Sequence, residues 1–225
     1  MKGKLIVIEG LDGSGKSTQE ELLKKKLADI NIKVNFIKLP NYDDPACDLV
    51  KMYLSGRFGS DPSDVNAYAA SSFFAVDRYV SYNCYWKDSY LNGEVFLADR
   101  YTTSNAYHQL TKTNRNEWDS YLEWLEDFEY KKMGIPKPDA VIYLDMPIEV
   151  SQKLMTSRYN GDDSKKDIHE KNVEYLKSCR EAADYACSKL GWTRIVCGEN
   201  GEPLPVDEIS EKVFAAVIKL LGIEL

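Results

Sequence analysis

The sequence predicts an α/β fold: a five-stranded parallel sheet flanked by helices, in one domain spanning residues 1–225. Three observations carry that expectation. Short apolar, β-branched runs recur between amphipathic stretches, as alternating strands and helices require. Two of the runs are continuously apolar, which suits strands covered on both faces of a parallel sheet. The first run also enters a glycine-rich turn that opens directly into a helical pattern, Gly10-Leu-Asp-Gly-Ser-Gly-Lys-Ser17.

In chain order, the runs Leu5–Ile8, Val34–Leu39, Val95–Ala98, Ala140–Leu144 and Thr193–Val196 read as the five strands. Between them, helical periodicity covers Ser17–Ala28, Ala46–Leu54, Val65–Leu91, Thr103–Gln109, Glu117–Lys132, Ile148–Ser157, His169–Leu190 and Val206–Leu221. Pro136-Lys-Pro-Asp139 stops one helix and launches the fourth strand. The closing Leu-Gly-Ile-Glu-Leu reads as a frayed end. Residues 158–167 are polar and turn-rich, either a plain surface loop or a lid over a site.

Composition excludes several classes. The 225 residues carry 29 Lys+Arg against 36 Asp+Glu, a net charge of −7. A broad basic face for a nucleic-acid polymer or an anionic membrane is therefore not expected, while a small basic pocket is still possible. With 44% hydrophobic residues the chain can build a real core. Cys47, Cys84, Cys179, Cys187 and Cys197 are irregularly spaced without any C-x-x-C, and His108 and His169 are the only histidines. A zinc site or disulfide framework is not expected, and the cysteines read as apolar filler in a reducing compartment. The apolar run after Met1 is too short for a secretion signal, and no stretch approaches a membrane span, so the expected location is cytoplasmic.

The glycine-rich turn satisfies G-x-x-x-x-G-K-[ST], with a strand before it and a helix after it. Glycines let successive backbone N–H groups point inward at phosphate oxygens, and the helix N-terminus adds partial positive charge there. Residues Gly10, Leu11, Asp12, Gly13, Ser14, Gly15, Lys16, Ser17 and Thr18 are thus the candidate ATP-binding loop. Lys16 would reach the β- and γ-phosphates, and the Ser17 hydroxyl would ligate Mg²⁺. The base-recognition segment N-K-x-D of GTPases is missing.

Two further pieces carry chemistry. Asp99-Arg100-Tyr101 closes the third strand, where ligands of open α/β sheets gather, although Asp-Arg after a strand also occurs as a solvated turn. Phe74 and Arg78 stand four apart on one helical face, offering an aromatic plate beside a guanidinium. A core Phe with a snorkelling Arg is the alternative.

Taken together, Ile8-Glu-Gly-Leu-Asp-Gly-Ser-Gly-Lys-Ser-Thr-Gln19, Phe74-x-x-x-Arg78, Asp99-Arg-Tyr101 and Pro136-Lys-Pro-Asp139 resemble the thymidylate kinases, P-loop kinases of nucleoside monophosphates. The resemblance runs in order along nearly the whole chain and is weakest over 157–175. Deoxynucleoside kinases usually show Glu-Arg-Ser where this chain has Asp99-Arg100-Tyr101. The resemblance implies Mg²⁺-assisted transfer of phosphate from ATP to dTMP, and a homodimer. It implies that Asp12 meets the deoxyribose 3′-hydroxyl, that Phe74 stacks on thymine, and that Arg78 contacts the monophosphate and the base edge. Arg100 would bridge acceptor and donor phosphates, Asp99 would support Mg²⁺ through water, and Ser104 and Asn105 would bond the base edge. Tyr107 would stand over the deoxyribose.

Two departures from the family pattern are visible. Pro40-Asn41-Tyr42-Asp43 lacks the arginine often found after the second strand, with Tyr42 a partial substitute. Gly13 stands where some relatives carry an arginine, and relatives without it place basic residues in the lid. Here the lid, about 158–168, offers Arg158, Lys165 and Lys166, with Arg158 favoured because a guanidinium grips spread phosphoryl charge at two points. The alternatives are another nucleoside or nucleoside-monophosphate kinase on this scaffold, and a nucleotide-binding switch without transferase activity.

Overall fold

The structure, a computed structural model, describes residues 2–158, 162 and 167–224, excluding the side chain of Arg158. Its centre is a parallel sheet of five strands: β1 (Lys4–Glu9), β2 (Asn35–Lys38), β3 (Val95–Asp99), β4 (Ala140–Asp145) and β5 (Thr193–Val196). They lie in the order β2-β3-β1-β4-β5. The register sets Ile8 beside Asp99 and beside Ile142, so the carboxyl ends of three strands meet at one edge.

The two-residue period of β1 divides the core. Ile6 and Ile8 pack with Leu23 and Leu27 of α1 (Lys16–Asp29) and with Val213 and Val217 of α10 (Val206–Leu221). Leu5 and Val7 face the other way, toward Trp86, Tyr90 and Phe96. Both faces are covered, which is why β1 and β4 read as unbroken apolar runs.

Seven further helices complete the flanks: α2 (Asp48–Leu54), α3 (Ala67–Ser81), α4 (Lys87–Leu91), α5 (Thr102–His108), α6 (Trp118–Glu126), α7 (Ile148–Arg158) and α8 (Ile168–Lys171). An eighth, α9 (Val173–Leu190), packs against α5 and α7. The long helix expected over Val65–Leu91 is instead α3, a π-helical segment Tyr82–Trp86, and α4. Likewise α6 passes into a π-helical segment, Asp127–Lys132. The helix expected over His169–Leu190 breaks at Asn172, whose backbone turns extended and whose side chain accepts from the Tyr175 N–H to cap α9.

An unexpected hairpin, β6 (Gly198–Glu199) with β7 (Glu202–Pro203), turns at Asn200-Gly201 with positive φ at both residues. That dipeptide is a strong hairpin signal, and the strands are two residues each. The expected frayed end is ordered as far as Ile223, which packs on the α1/α10 core after Gly222 ends the helix at φ 70°. The cysteines are free. Four are buried as expected, and Cys84 is exposed.

Candidate active site

The site assembles where β1 and β3 end. From Glu9 the chain enters the glycine turn, in which Gly10, Gly13 and Gly15 hold φ of 156°, 77° and 87°. Space is as restrictive as torsion at Gly13, where a Cβ would stand 2.6 Å from the Ser151 carbonyl oxygen of α7. Any side chain at this position requires the loop or α7 to shift.

Lys16 opens α1, which no side chain among the described residues caps and which has no acid in its first turn. Its initial N–H groups are therefore left for an anion. The Lys16 ammonium folds back over the loop, donating to Gly10 O at 2.7 Å and Leu11 O at 3.2 Å. Burial, reinforced by Arg100, lowers its pKa to about 8. Ser14 Oγ is buried without a hydrogen-bond partner among the described residues. Such an atom is paired in a working protein, and here it lies inside the phosphate turn.

Beside this loop, Arg100 leaves β3 in the left-handed region, at φ 68°. A non-glycine residue held there costs on the order of 1–3 kcal/mol and marks a constrained site. The turn lets the Tyr101 N–H reach Glu9 Oε1 at 3.1 Å. The Arg100 guanidinium then lies 2.5 Å from Asp12 Oδ1. Burial pushes the Asp12 carboxyl up, but Arg100 and Lys16 outweigh it and hold the group well below the usual carboxylate range.

Glu9 organises the other half. Fully buried, it accepts from Thr103 Oγ1 (2.6 Å), Ser104 Oγ (2.8 Å) and Tyr107 OH (2.7 Å) besides Tyr101. Ser104 and Tyr107 in turn accept from Arg100 Nη1, at 3.3 and 3.1 Å. The sequence carried a signal for this role: a glutamate closing a buried strand must find donors.

A cavity opens between α3 and α5, with Asp12 at its P-loop end. Phe74 and Arg78 line one wall, and Arg100, Ser104 and Asn105 another. Phe74 is half-buried and meets Tyr53 edge-on at 6.2 Å. Arg78 is 3% exposed and bound at two points by Glu129, with Nε to Oε2 and Nη2 to Oε1 both 2.6 Å.

Tyr107, expected over the deoxyribose, points away from the cavity. It does not line the cavity: its ring is fully buried and its hydroxyl serves Glu9 and Gly10 O. The next residue, His108, lines it instead, because Ser104, Asn105 and His108 share one face of α5 while Tyr107 turns inward.

Several lining residues escaped the sequence reading. His169 stacks on His108 at 5.3 Å and meets the Tyr53 hydroxyl at 2.8 Å. Burial lowers the pKa of both histidines, that of His169 to about 3, so both are neutral at pH 7. Asp167 caps α8 through the N–H groups of His169 and Glu170. Burial, then the nearby Asp12 charge, raises its pKa to about 7. Gln109 lines the cavity with both side-chain amide atoms buried and unpaired among the described residues. Nothing in the local sequence distinguishes these positions. Tyr42 lines the cavity mouth.

At the carboxyl end of β3, Asp99 is 7% exposed. Its Oδ1 has no hydrogen-bond partner among the described residues, and its Oδ2 lies 4.0 Å from Lys38 Nζ. Ser17, in the first turn of α1, is exposed. The expected lid cations are not placed: Lys165, Lys166 and the Arg158 side chain lie outside the described residues.

A phosphate loop with an adjoining cavity walled by Arg78 and Arg100, the latter at their junction, is the arrangement of a P-loop kinase. A family model described as thymidylate kinase matches residues 8–204. The thymidylate kinase of Mycobacterium tuberculosis is 30% identical over 192 residues, 84% of this chain and 87% of that protein. That of Plasmodium falciparum is 29% identical over 210 residues, 93% of this chain and 90% of the other. A solved thymidylate kinase structure from Candida albicans superposes with a TM-score of 0.69 at 21% identity, covering 98% of this chain and 93% of that one. The chain belongs to the thymidylate kinase family; it is an ATP-dependent kinase that phosphorylates dTMP, built on the nucleoside-monophosphate kinase fold. No helix among the described residues is long and apolar enough to cross a membrane.

Proposed function

We propose that the loop Gly10–Thr18 holds the β- and γ-phosphates of ATP and that the α3/α5 cavity holds dTMP, with Arg100 contacting both phosphate groups at the junction. The Asp12–Arg100 pair carries this reading, since it ties the loop to the cavity wall through a guanidinium placed to face both. An entering acceptor phosphate competes with Asp12 for Arg100 and frees the carboxylate for a sugar hydroxyl. The nucleophile is an oxygen of the acceptor phosphate, whose second pKa lies near 6, about a unit below physiological pH, so no general base is required. The protein's task is in-line alignment and charge neutralisation of a loose transition state.

Phe74 stacks on the base, and Asn105 with Arg78 reads its edge. Ser104, bound to Glu9 and Arg100, steadies the guanidinium as well as lining the site. Because Glu129 already neutralises Arg78, this side chain serves better as a donor to a neutral base carbonyl than as a clamp on the monophosphate. His108 takes the sugar-facing place expected of Tyr107. Arg158, from the lid at 158–168, supplies a further cation to the phosphates.

The donor set near the loop fits Mg²⁺: hard oxygen atoms, with Asp99 Oδ1 buried and unpaired and the Ser17 hydroxyl open. When bound, the ion would neutralise charge on the β- and γ-phosphate oxygens, held by Ser17 directly and by Asp99 through water. The chain forms one domain. It acts as a homodimer: Tyr68, Val76 and Tyr79 leave an exposed apolar stripe on α3 that a second copy would cover. Five free cysteines, four of them buried, suit a reducing cytoplasm.

The test is ADP release with dTMP, dUMP, UMP and thymidine as acceptors. The expected order of kcat/KM places dTMP first. A clear preference for thymidine, or release with none of the four, contradicts the proposal.

A further inference from the structure

Glu129 sits outside the cavity, at no position that any motif marks. It is the buried residue of the π-helical segment Asp127–Lys132, and such segments occur frequently at functional sites. The carboxylate is fully buried and surrounded by donors. Oε2 accepts from Arg78 Nε at 2.6 Å and Thr102 Oγ1 at 2.7 Å. Oε1 accepts from Arg78 Nη2 at 2.6 Å and Asn105 Nδ2 at 3.4 Å. Two of its partners, Arg78 and Asn105, line the cavity, and Glu129 does not.

This arrangement decides which atoms are left for a ligand. With Nε and Nη2 spent on Glu129, Arg78 keeps Nη1, whose only approach among the described residues is 3.4 Å to Tyr101 O. The Asn105 amide is oriented by two acceptors at Nδ2, Glu129 and Ser71 O (3.3 Å), which leaves Oδ1 as the free atom. At the two positions that Glu129 holds, the wall thus presents a donor, Arg78 Nη1, beside an acceptor, Asn105 Oδ1, in fixed polarity. A base edge with a carbonyl beside a ring N–H, as in a 4-oxo pyrimidine, complements that pair. A 4-amino pyrimidine presents the reverse, a donor beside a bare ring nitrogen. Asn105 could accommodate it only by turning its amide nitrogen away from Glu129.

We propose that Glu129 is a positioning residue that sets the polarity of base recognition, selecting 4-oxo over 4-amino pyrimidine monophosphates. It acts through Arg78 and Asn105 and touches no substrate. The inference rests on reading the α3/α5 cavity as the dTMP site.

The experiment compares Glu129→Gln with Arg78→Met, measuring KM for dTMP, KM for ATP, and the dTMP:dCMP ratio of kcat/KM. For Glu129→Gln, KM for dTMP should rise about tenfold or more and the ratio should fall by a similar factor, while KM for ATP stays within about twofold. A global packing defect would move both substrates together. In the double variant Arg78→Met/Glu129→Gln the effects should not add, because one residue works through the other. If Arg78→Met raises KM for dTMP but folded Glu129→Gln leaves both KM and ratio unchanged, this inference fails and the site reading stands. If Arg78→Met itself leaves dTMP binding unchanged, the site reading fails and takes the inference with it. Should Glu129→Gln not fold, Glu129→Asp carries the test: it keeps the charge but shortens the reach. Partial loss of the dTMP:dCMP ratio supports the inference, and an unchanged ratio overturns it.

Discussion

Asp12 and Arg100, 88 residues apart, meet at 2.5 Å between Oδ1 and Nη2, joining the phosphate loop to the turn that follows β3. Each arrives by a separate constraint, Asp12 on the glycine turn and Arg100 on a left-handed residue anchored by Glu9. The pair fixes the Arg100 guanidinium where the phosphate loop meets the cavity.

Arg100→Lys tests whether the fork or the charge matters. Lysine keeps the charge but cannot bridge two groups in one plane. Turnover should drop by about 10²-fold or more, with KM for ATP within about threefold, because the contact strengthens as charge moves in the transition state. Steady-state kinetics with both substrates check this. Turnover near wild type would show that the charge alone suffices and that the planar fork does not matter.

Lys16 gives a pH signature. Burial lowers its pKa to about 8 in the free protein, so the charged form is lost as pH rises through that value. The kcat/KM for ATP should therefore fall above about pH 8, since that quantity reports the free enzyme. Bound phosphate restores the lysine's charge, so kcat should hold to higher pH. Lys16→Ala should reduce turnover by at least about 10²-fold.

Gly13→Ala probes the loop's packing. A Cβ would stand 2.6 Å from Ser151 O and the backbone holds φ at 77°, so the loop or α7 must shift. A loss of about 1–3 kcal/mol in stability is expected, along with weaker ATP binding. Gly15→Ala meets nothing within 4 Å and bears only the torsional cost at φ 87°. Denaturant midpoints should rank Gly13→Ala as the more destabilised.

The groups around α8 set opposing pH responses. His108 and His169 stay neutral when folded, whereas the unfolded chain takes up those protons below about pH 6.5. Acidification from pH 7 to 5.5 therefore removes stability, about 1 kcal/mol per histidine. Asp167 runs the other way. Its folded pKa of about 7 lies above the ordinary 3.8, so its contribution is full at low pH and is lost as pH rises toward 7. Wild type should change little over this interval. Asp167→Asn keeps a good helix cap and should lose about 2 kcal/mol on acidification. Urea midpoints at the two pH values check it, and a flat response from Asp167→Asn contradicts it.

Much of this molecule was legible because its signals are local. The five strands follow from apolar runs, and the phosphate loop from residue types that only a tight anion-binding turn requires. Phe74 and Arg78 share a face by helical spacing alone. The misses need tertiary knowledge. Tyr107 and His108 differ by about 100° of helical phase, and only the position of Glu9 decides which turns inward. The partnership of Glu129 with Arg78 joins buried groups 51 residues apart, whereas the break at Asn172 is a local cap that helical periodicity alone conceals. The Asn200-Gly201 hairpin did carry its local signal.

The central claim is that the two phosphate sites share Arg100. A ligand joining adenosine to thymidine through a five-phosphate bridge tests it directly by calorimetric titration. It should bind at least about 10²-fold tighter than ATP, through effective concentration, and lose most of that gain in Arg100→Ala. Binding no tighter than ATP alone, or a gain untouched by Arg100→Ala, would contradict the account.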